Sequence, residues 1–315
     1  MKGSLLRSRQ LRSVVDAVGD TPLVRLGHVA REAPSVEVYG KLEFANPGGS
    51  VKDRAALRMM QAALRDGRLT PDRTLIDSTS GNTGVAYSIF GAALGVRVTL
   101  VMPSNVTKAR KDIARAFGTE LVFSDPMEGS DGAIRHVRRL VAESPDLWFY
   151  PDQYSNRDNP DAHYYGTGAE ILDALGDRIT HLVAGLGTTG TMMGTARRLR
   201  EHTRPIRCVA VEPAEALHGL EGLKHLQSSL VPPIHDRAGY DETMPVTTED
   251  GWDMADRLAR EEALHVGHSA GAAVFAAVEI AKHLHREQNG GCIVVIIPNR
   301  GDRYFAPIKW EKRYV

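Results

Sequence analysis

The run Asn46-Pro47-Gly48-Gly49-Ser50-Val51-Lys52-Asp53-Arg54 places a lysine just past a Pro-Gly-Gly turn. Behind it Ala55, Ala56, Met59, Met60, Ala63 and Leu64 recur at helical spacing, and Ser50 has a side chain suited to an N-cap. An ammonium at that end of a helix faces the positive pole of the dipole, which favours its neutral form. A neutral lysine amine is a nucleophile that forms a Schiff base with a carbonyl cofactor. The same spacing also fits a solvated lysine in an ordinary first turn.

Three glycine turns add polar groups at helix starts. Gly185-Leu186-Gly187-Thr188-Thr189-Gly190 follows an apolar strand and matches the dinucleotide fingerprint, with Glu212 at the end of the next strand. Backbone N–H groups at such a start bind phosphate, and the hydroxyls of Thr188, Thr189 and Thr191 suit a terminal monoester better than a bridging pyrophosphate. A turn that merely needs glycine is the alternative. Ser80-Gly81-Asn82-Thr83-Gly84 offers hydroxyls and an amide as a receptor for a carboxylate, or is an Asx- or Ser-capped turn. In Gly267-His268-Ser269-Ala270-Gly271 the serine also passes as a plain N-cap.

The elements that carry these groups alternate. Strands are expected at Thr21–Leu26, Val36–Leu42, Thr74–Asp77, Val96–Met102, Glu120–Phe123 and Trp148–Tyr150, with helices over Val85–Leu94, Lys108–Phe117 and Gly132–Ala142. After the polar stretch Asp152–Asn159 come a helix over Gly168–Leu175, the strand His181–Ala184, a helix over Met192–Glu201 and the strand Ile206–Val211. Ala214–Glu249 reads as a long loop. Helices over Gly251–Glu262 and Ser269–His285 and a strand at Cys292–Pro298 close the pattern. Strands alternating with helices predict two α/β units with mostly parallel sheets and a ligand cleft between them.

At 315 residues, with 39 basic and 39 acidic side chains, the chain has no net charge to attract nucleic acid or an anionic membrane. No apolar run approaches the roughly 18 residues of a membrane span. Cys208 and Cys292 lie in apolar strand-like runs and read as buried thiols of a reducing compartment. Met1–Val15 is basic and free of acidic residues but lacks a secretory apolar core, so a short opening helix (Leu11, Val14, Val15, Val18) in a cytoplasmic protein is the simpler account. The 12 histidines form no metal signature.

Taken in order, GDTPLVRL, NPGGSVKDR, STSGNTG, GLGTTGT and GHSAG resemble the cysteine synthases, O-acetylserine or O-phosphoserine sulfhydrylases that use pyridoxal 5′-phosphate, with cystathionine β-synthase a close relative. The resemblance spans nearly the whole chain. It implies the fold-type II, tryptophan synthase β-like architecture of two three-layer α/β domains. Residues 46–156 would form the smaller, substrate-gripping domain, and residues 1–45 with 157–315 the larger, phosphate-binding one. It also implies a homodimer, with a sulfur-carrier protein or serine acetyltransferase as further candidate partners.

By the same resemblance Lys52 is the Schiff-base lysine and the base at Cα, and Asn82 bonds the cofactor's phenolic oxygen. Gly187, Thr188, Thr189, Gly190 and Thr191 form the phosphate cup, and Ser269 meets the pyridine nitrogen. Thr79, Ser80, Gly81 and Thr83, with Gln153, grip the substrate carboxylate. A neutral serine at the ring nitrogen disfavours a long-lived carbanion, so elimination to an aminoacrylate followed by sulfide addition is expected. The loop GTTGTMMGT resembles the phosphoserine-using branch, yet EPAEALHGLEGLKHLQSSL has no arginine to read a phosphate; Lys224 is the candidate in its place. Homocysteine as acceptor, a serine/threonine dehydratase, a nicotinamide dehydrogenase built on GLGTTG and Glu212, and a catalytically silent binding protein on this scaffold are the rival readings.

Overall fold

A computed structural model describes residues 10–79, 81–201 and 205–303 of this chain. Its strands in chain order are β1 Leu23–Arg25, β2 Val36–Leu42, β3 Thr74–Ser78, β4 Val98–Pro103, β5 Glu120–Ser124, β6 Trp148–Phe149, β7 His181–Gly185, β8 Arg207–Pro213, β9 Glu242–Val246 and β10 Gly291–Ile297. Its helices are α1 Lys52–Arg65, α2 Asn82–Leu94, α3 Lys108–Ala116, α4 Gly129–Glu143, α5 Asp158–Ala162, α6 Ala169–Leu175, α7 Gly190–Arg200, α8 Thr248–Glu261 and α9 His268–Arg286.

The strands form a sheet of order β5-β4-β3-β6, parallel throughout, and a larger one of order β1-β2-β10-β7-β8-β9. Only β1 runs antiparallel in the larger sheet. β10 lies between β2 and β7, aligned along its length with β2 from Gly291 opposite Val36 to Ile297 opposite Leu42. Helices cover both faces of a parallel sheet, so its inner strands are apolar on both sides; β4 and Cys292–Ile297 of β10 are buried throughout. The α/β architecture expected from the alternating pattern is therefore present, and every strand of the smaller sheet falls within residues 46–156.

Helix α1 turns Ala55, Ala56, Met59, Met60 and Ala63 onto Leu75, Tyr87 and Phe90, which seats the lysine-bearing helix on the smaller sheet. Helix α9 packs Ala270, Ala273, Val274 and Ala277 onto Val183 and Val295 of the larger one. Cys208 and Cys292 are buried, unbridged thiols whose pKa values burial pushes up to about 11.

Several local expectations change. β9 lies inside the stretch read as a long loop. It is an edge strand interrupted by Pro245, which breaks the usual strand signal. The opening helix is a single 3-10 turn, Val14–Ala17. Ser50 is not the N-cap of α1. That position falls to Val51, while Ser50 bridges Asn299 across the chain and its Oγ accepts the Lys52 N–H at 3.3 Å. The helix expected over Gly168–Leu175 is preceded by α5 and by a π-helical turn, His163–Gly168.

Candidate active site

Four helices begin at one cleft. Val51 and Lys52 enter from the start of α1, Asn82 from α2, Thr189 and Thr191 from α7 and Ser269 from α9. The C-terminal ends of β7 and β10 supply Gly185 and Ile296, followed by Pro298 and Asn299, and Gly222 and Leu223 close one wall. The cleft holds about 540 Å³ free of protein atoms, part of it open to solvent. Unpaired N–H groups and dipoles of helix starts favour a bound anion, and the crevice beyond the carboxyl ends of parallel strands is where α/β folds hold ligands.

The loop between β7 and α7 is shaped for close approach. A side chain at Gly187 would put a Cβ 2.3 Å from the Gly222 carbonyl oxygen. Thr189 has φ +72°, a left-handed conformation that costs a β-branched residue energy and is held by its surroundings. Its buried Oγ1 has no hydrogen-bond partner among the described residues. Asn159 Nδ2 donates to Thr188 Oγ1 at 3.0 Å and to the Gln153 carbonyl at 2.7 Å. Gly190 carries no side chain into the cleft; it lets Asn159 lie against the turn, where a Cβ would come 2.0 Å from Oδ1. A cluster of threonine hydroxyls at a helix start, one of them buried without a hydrogen-bond partner among the described residues, fits a phosphate monoester.

Lys52 is the first residue of α1 and is only partly exposed, on the cleft. Burial draws its pKa down to about 8. The neutral amine anticipated from the helix dipole is thus favoured by desolvation. Ser269 is the second residue of α9 and buried, and its helix is capped by Gly267 without a side-chain bond, so the plain N-cap reading fails. Asn299 is buried beside it, and its carbonyl accepts the Gly267 N–H at 3.2 Å.

Other expected residues are hydrogen-bonded to one another in pairs. Thr83 Oγ1 donates to Gln153 Oε1 at 2.9 Å, both side chains being buried. Thr79 Oγ1 accepts the Gly81 N–H at 3.3 Å, and Gly81 caps α2. Ser80 lies outside the described residues. Thr79, Gly81, Thr83 and Gln153 do not line the cleft as it stands. Lys224 is tied by its own N–H to the Leu186 carbonyl at 2.7 Å, and its ammonium lies 5.1 Å from the centre of the Tyr154 ring. Burial lowers its pKa.

A family model described as pyridoxal-phosphate dependent enzyme matches residues 14–299. The chain belongs to that family. Cysteine synthase of Aquifex aeolicus is 48% identical over 296 residues, 93% of this chain and 90% of that protein. Cysteine synthase B of Pseudomonas aeruginosa is 38% identical over 96% of this chain and 99% of its own. Among solved structures, a cysteine synthase from Entamoeba histolytica superposes with a TM-score of 0.92 at 35% identity, covering 99% of this chain and 94% of its own. An O-ureido-L-serine synthase superposes with a TM-score of 0.90 at 35% identity, over 97% of this chain and 96% of its own.

Membership in the pyridoxal-phosphate dependent family disposes of the nicotinamide reading, and the site agrees. Glu212, which a dinucleotide site would offer to a ribose, instead accepts the Leu226 N–H at 3.1 Å. Two further residues belong to the site without any sequence signal. Asn159 lies in the polar linker between the two α/β units. His163, buried at 1% exposure, sits with Nε2 3.3 Å from Thr191 Oγ1 and Nδ1 3.0 Å from Thr167 Oγ1. Neither belongs to a local motif; a π-helical turn marks the place in the fold. Among the described residues no helix is long and apolar enough to cross a membrane.

Proposed function

We propose that this enzyme makes L-cysteine from an activated L-serine, O-acetylserine or O-phosphoserine, and sulfide. The observation that carries the reading is a desolvated lysine facing a threonine-lined cup across one cleft, in a chain 48% identical to a cysteine synthase. Lys52 would hold the cofactor covalently. Asn82 would bond its phenolic oxygen, Ser269 its pyridine nitrogen, and Gly187, Thr188, Thr189, Gly190 and Thr191 its phosphate. Pyridoxal phosphate, when bound, supplies the electron sink that makes a Cα proton removable.

The remaining work falls to this chain's residues. By the family resemblance Thr79, Ser80, Gly81, Thr83 and Gln153 would turn to hold the substrate carboxylate once it enters, and so would aim its Cα–H at Lys52. The Lys52 amine takes that proton as acetate or phosphate leaves Cβ with its bonding pair. Sulfide then forms the C–S bond at Cβ, and Lys52 returns a proton to Cα. Lys224, whose backbone N–H is tied to the Leu186 carbonyl and whose ammonium lies over the Tyr154 ring, would be the cation offered to an anionic leaving group.

A donor panel tests the reading. Acetylserine, phosphoserine and serine are each offered with sulfide and with homocysteine, to the wild type and to Lys52→Ala and Lys224→Ala. Lys52→Ala is expected to lose both turnover and the visible absorbance of the bound cofactor; unchanged colour and turnover would refute the assignment. Lys224→Ala is expected to lose phosphoserine turnover selectively, and equal loss on both esters would discard its phosphate role. A homodimer in the cytoplasm completes the proposal. Sedimentation of the full chain at twice the monomer mass is expected, and a purely monomeric species would exclude it.

A further inference from the structure

Resting on the cofactor reading above, we propose that His163 is a positioning residue that orients the Thr191 hydroxyl toward the cofactor phosphate. His163 opens the π-helical turn His163–Gly168, so that Thr167 comes under its Nδ1 at 3.0 Å. Nε2 lies 3.3 Å from Thr191 Oγ1, in the first turn of α7 and on the cleft wall. Close packing makes that meeting possible. A Cβ at Gly194, one turn along α7 from Thr191, would stand 1.9 Å from the Pro160 carbonyl oxygen and 2.9 Å from His163 Cβ.

Burial, then the positive charges of Arg54 and Lys52, hold the imidazole well below its usual pKa against the opposing pull of Glu170. The ring is therefore neutral, with one N–H and one lone pair to share between two threonines. Only one arrangement suits an anion in the cup. If Thr191 donated to Nε2, its oxygen lone pairs would face the phosphate. If Thr167 donates to Nδ1, the proton sits on Nε2 and is given to Thr191 Oγ1, and the Thr191 O–H is left to point into the cleft. Thr188 shows the same device independently, for Asn159 Nδ2 donates to its oxygen and frees its proton. Thr167, buried at 0% exposure and absent from the cleft wall, thus sets the direction of a hydroxyl it never touches.

The test uses full-length, cofactor-loaded protein and two readouts besides turnover: the ³¹P resonance of the bound phosphate, and the rate at which the cofactor is lost on dilution. Thr167→Val, close to isosteric, removes the proton given to Nδ1. It is expected to shift the ³¹P resonance and speed cofactor loss by about ten- to a hundredfold, the scale of one hydrogen bond to a charged group. Thr167→Ser restores the hydroxyl and should restore both readouts. His163→Gln, which keeps a donor near Nε2, should be milder than His163→Ala. An unchanged resonance and loss rate in Thr167→Val, with the wild type normally loaded, would overturn this inference alone. A wild type that takes up no pyridoxal phosphate would overturn it together with the proposed function.

Discussion

Lys52 shows how a side chain acquires its chemistry from what is packed round it. An exposed lysine is protonated until about pH 10.4, whereas burial brings this one to about 8. The sign is that of a base whose charged form is penalised, so the neutral amine gains population as pH rises through about 8. Capture of pyridoxal phosphate by cofactor-free protein is therefore expected to accelerate with a midpoint near pH 8. A midpoint above pH 10 in stopped-flow traces would contradict it. At this scale the lysine and the threonines of the cup were legible, because each sits in a short run of glycine, hydroxyl and amide residues. Asn159 and His163 were not. Their cleft-side partners Thr188 and Thr191 lie 29 and 28 positions away, and no local pattern announces such long-range pairs.

Helix starts, and the spacing between helices, decide where those side chains meet. Helix α7 is drawn onto α5 and the π-helical turn by Gly194, and α9 onto α8 by Gly271, where a Cβ would come 2.0 Å from the Gly251 carbonyl oxygen. Gly194→Ala is expected to cost about 1–3 kcal/mol through overpacking and to loosen the cofactor as well, since Thr191 moves with α7. Thermal melts and cofactor retention measured on one sample check both, and a melt unchanged from wild type would refute the packing argument. Helical periodicity and parallel-strand apolar runs were readable for most elements, and β2 was bounded as it stands. β9 escaped because Glu242–Val246 is short, half polar and broken by Pro245. The cap of α1 is not legible locally, because Ser50 bridges Asn299, far along the chain.

The molecule is tied together across its two sheets by a buried ionic cluster that no stretch of sequence displays. Arg54 of α1 donates to Glu43 at 2.6 and 2.9 Å and to Glu170 of α6 at 2.7 and 2.8 Å. Lys41 of β2 donates to Glu170 at 2.6 Å. Burial alone would raise the Glu170 pKa, but Arg54 and Lys41 outweigh it and leave it at about 2. The four charges balance, so deleting one strands the others. Arg54→Met is expected to cost about 3–5 kcal/mol in urea unfolding, and a loss under about 1 kcal/mol would show that the cluster does not anchor α1. The order β2-β10-β7 has one more outcome. A chain emerging from the ribosome can pair β3 with β4 and β4 with β5 early, but β2 and β7 must wait unjoined until Gly291–Ile297 has been translated. Two polar residues of the cleft flank that strand in the chain: Ser269 of α9 precedes it and Asn299 follows it. The cleft is therefore complete only once β10 and Asn299 have followed α9, and a nascent polypeptide halted before β10 would leave both flanking strands as open edges for chaperones to guard.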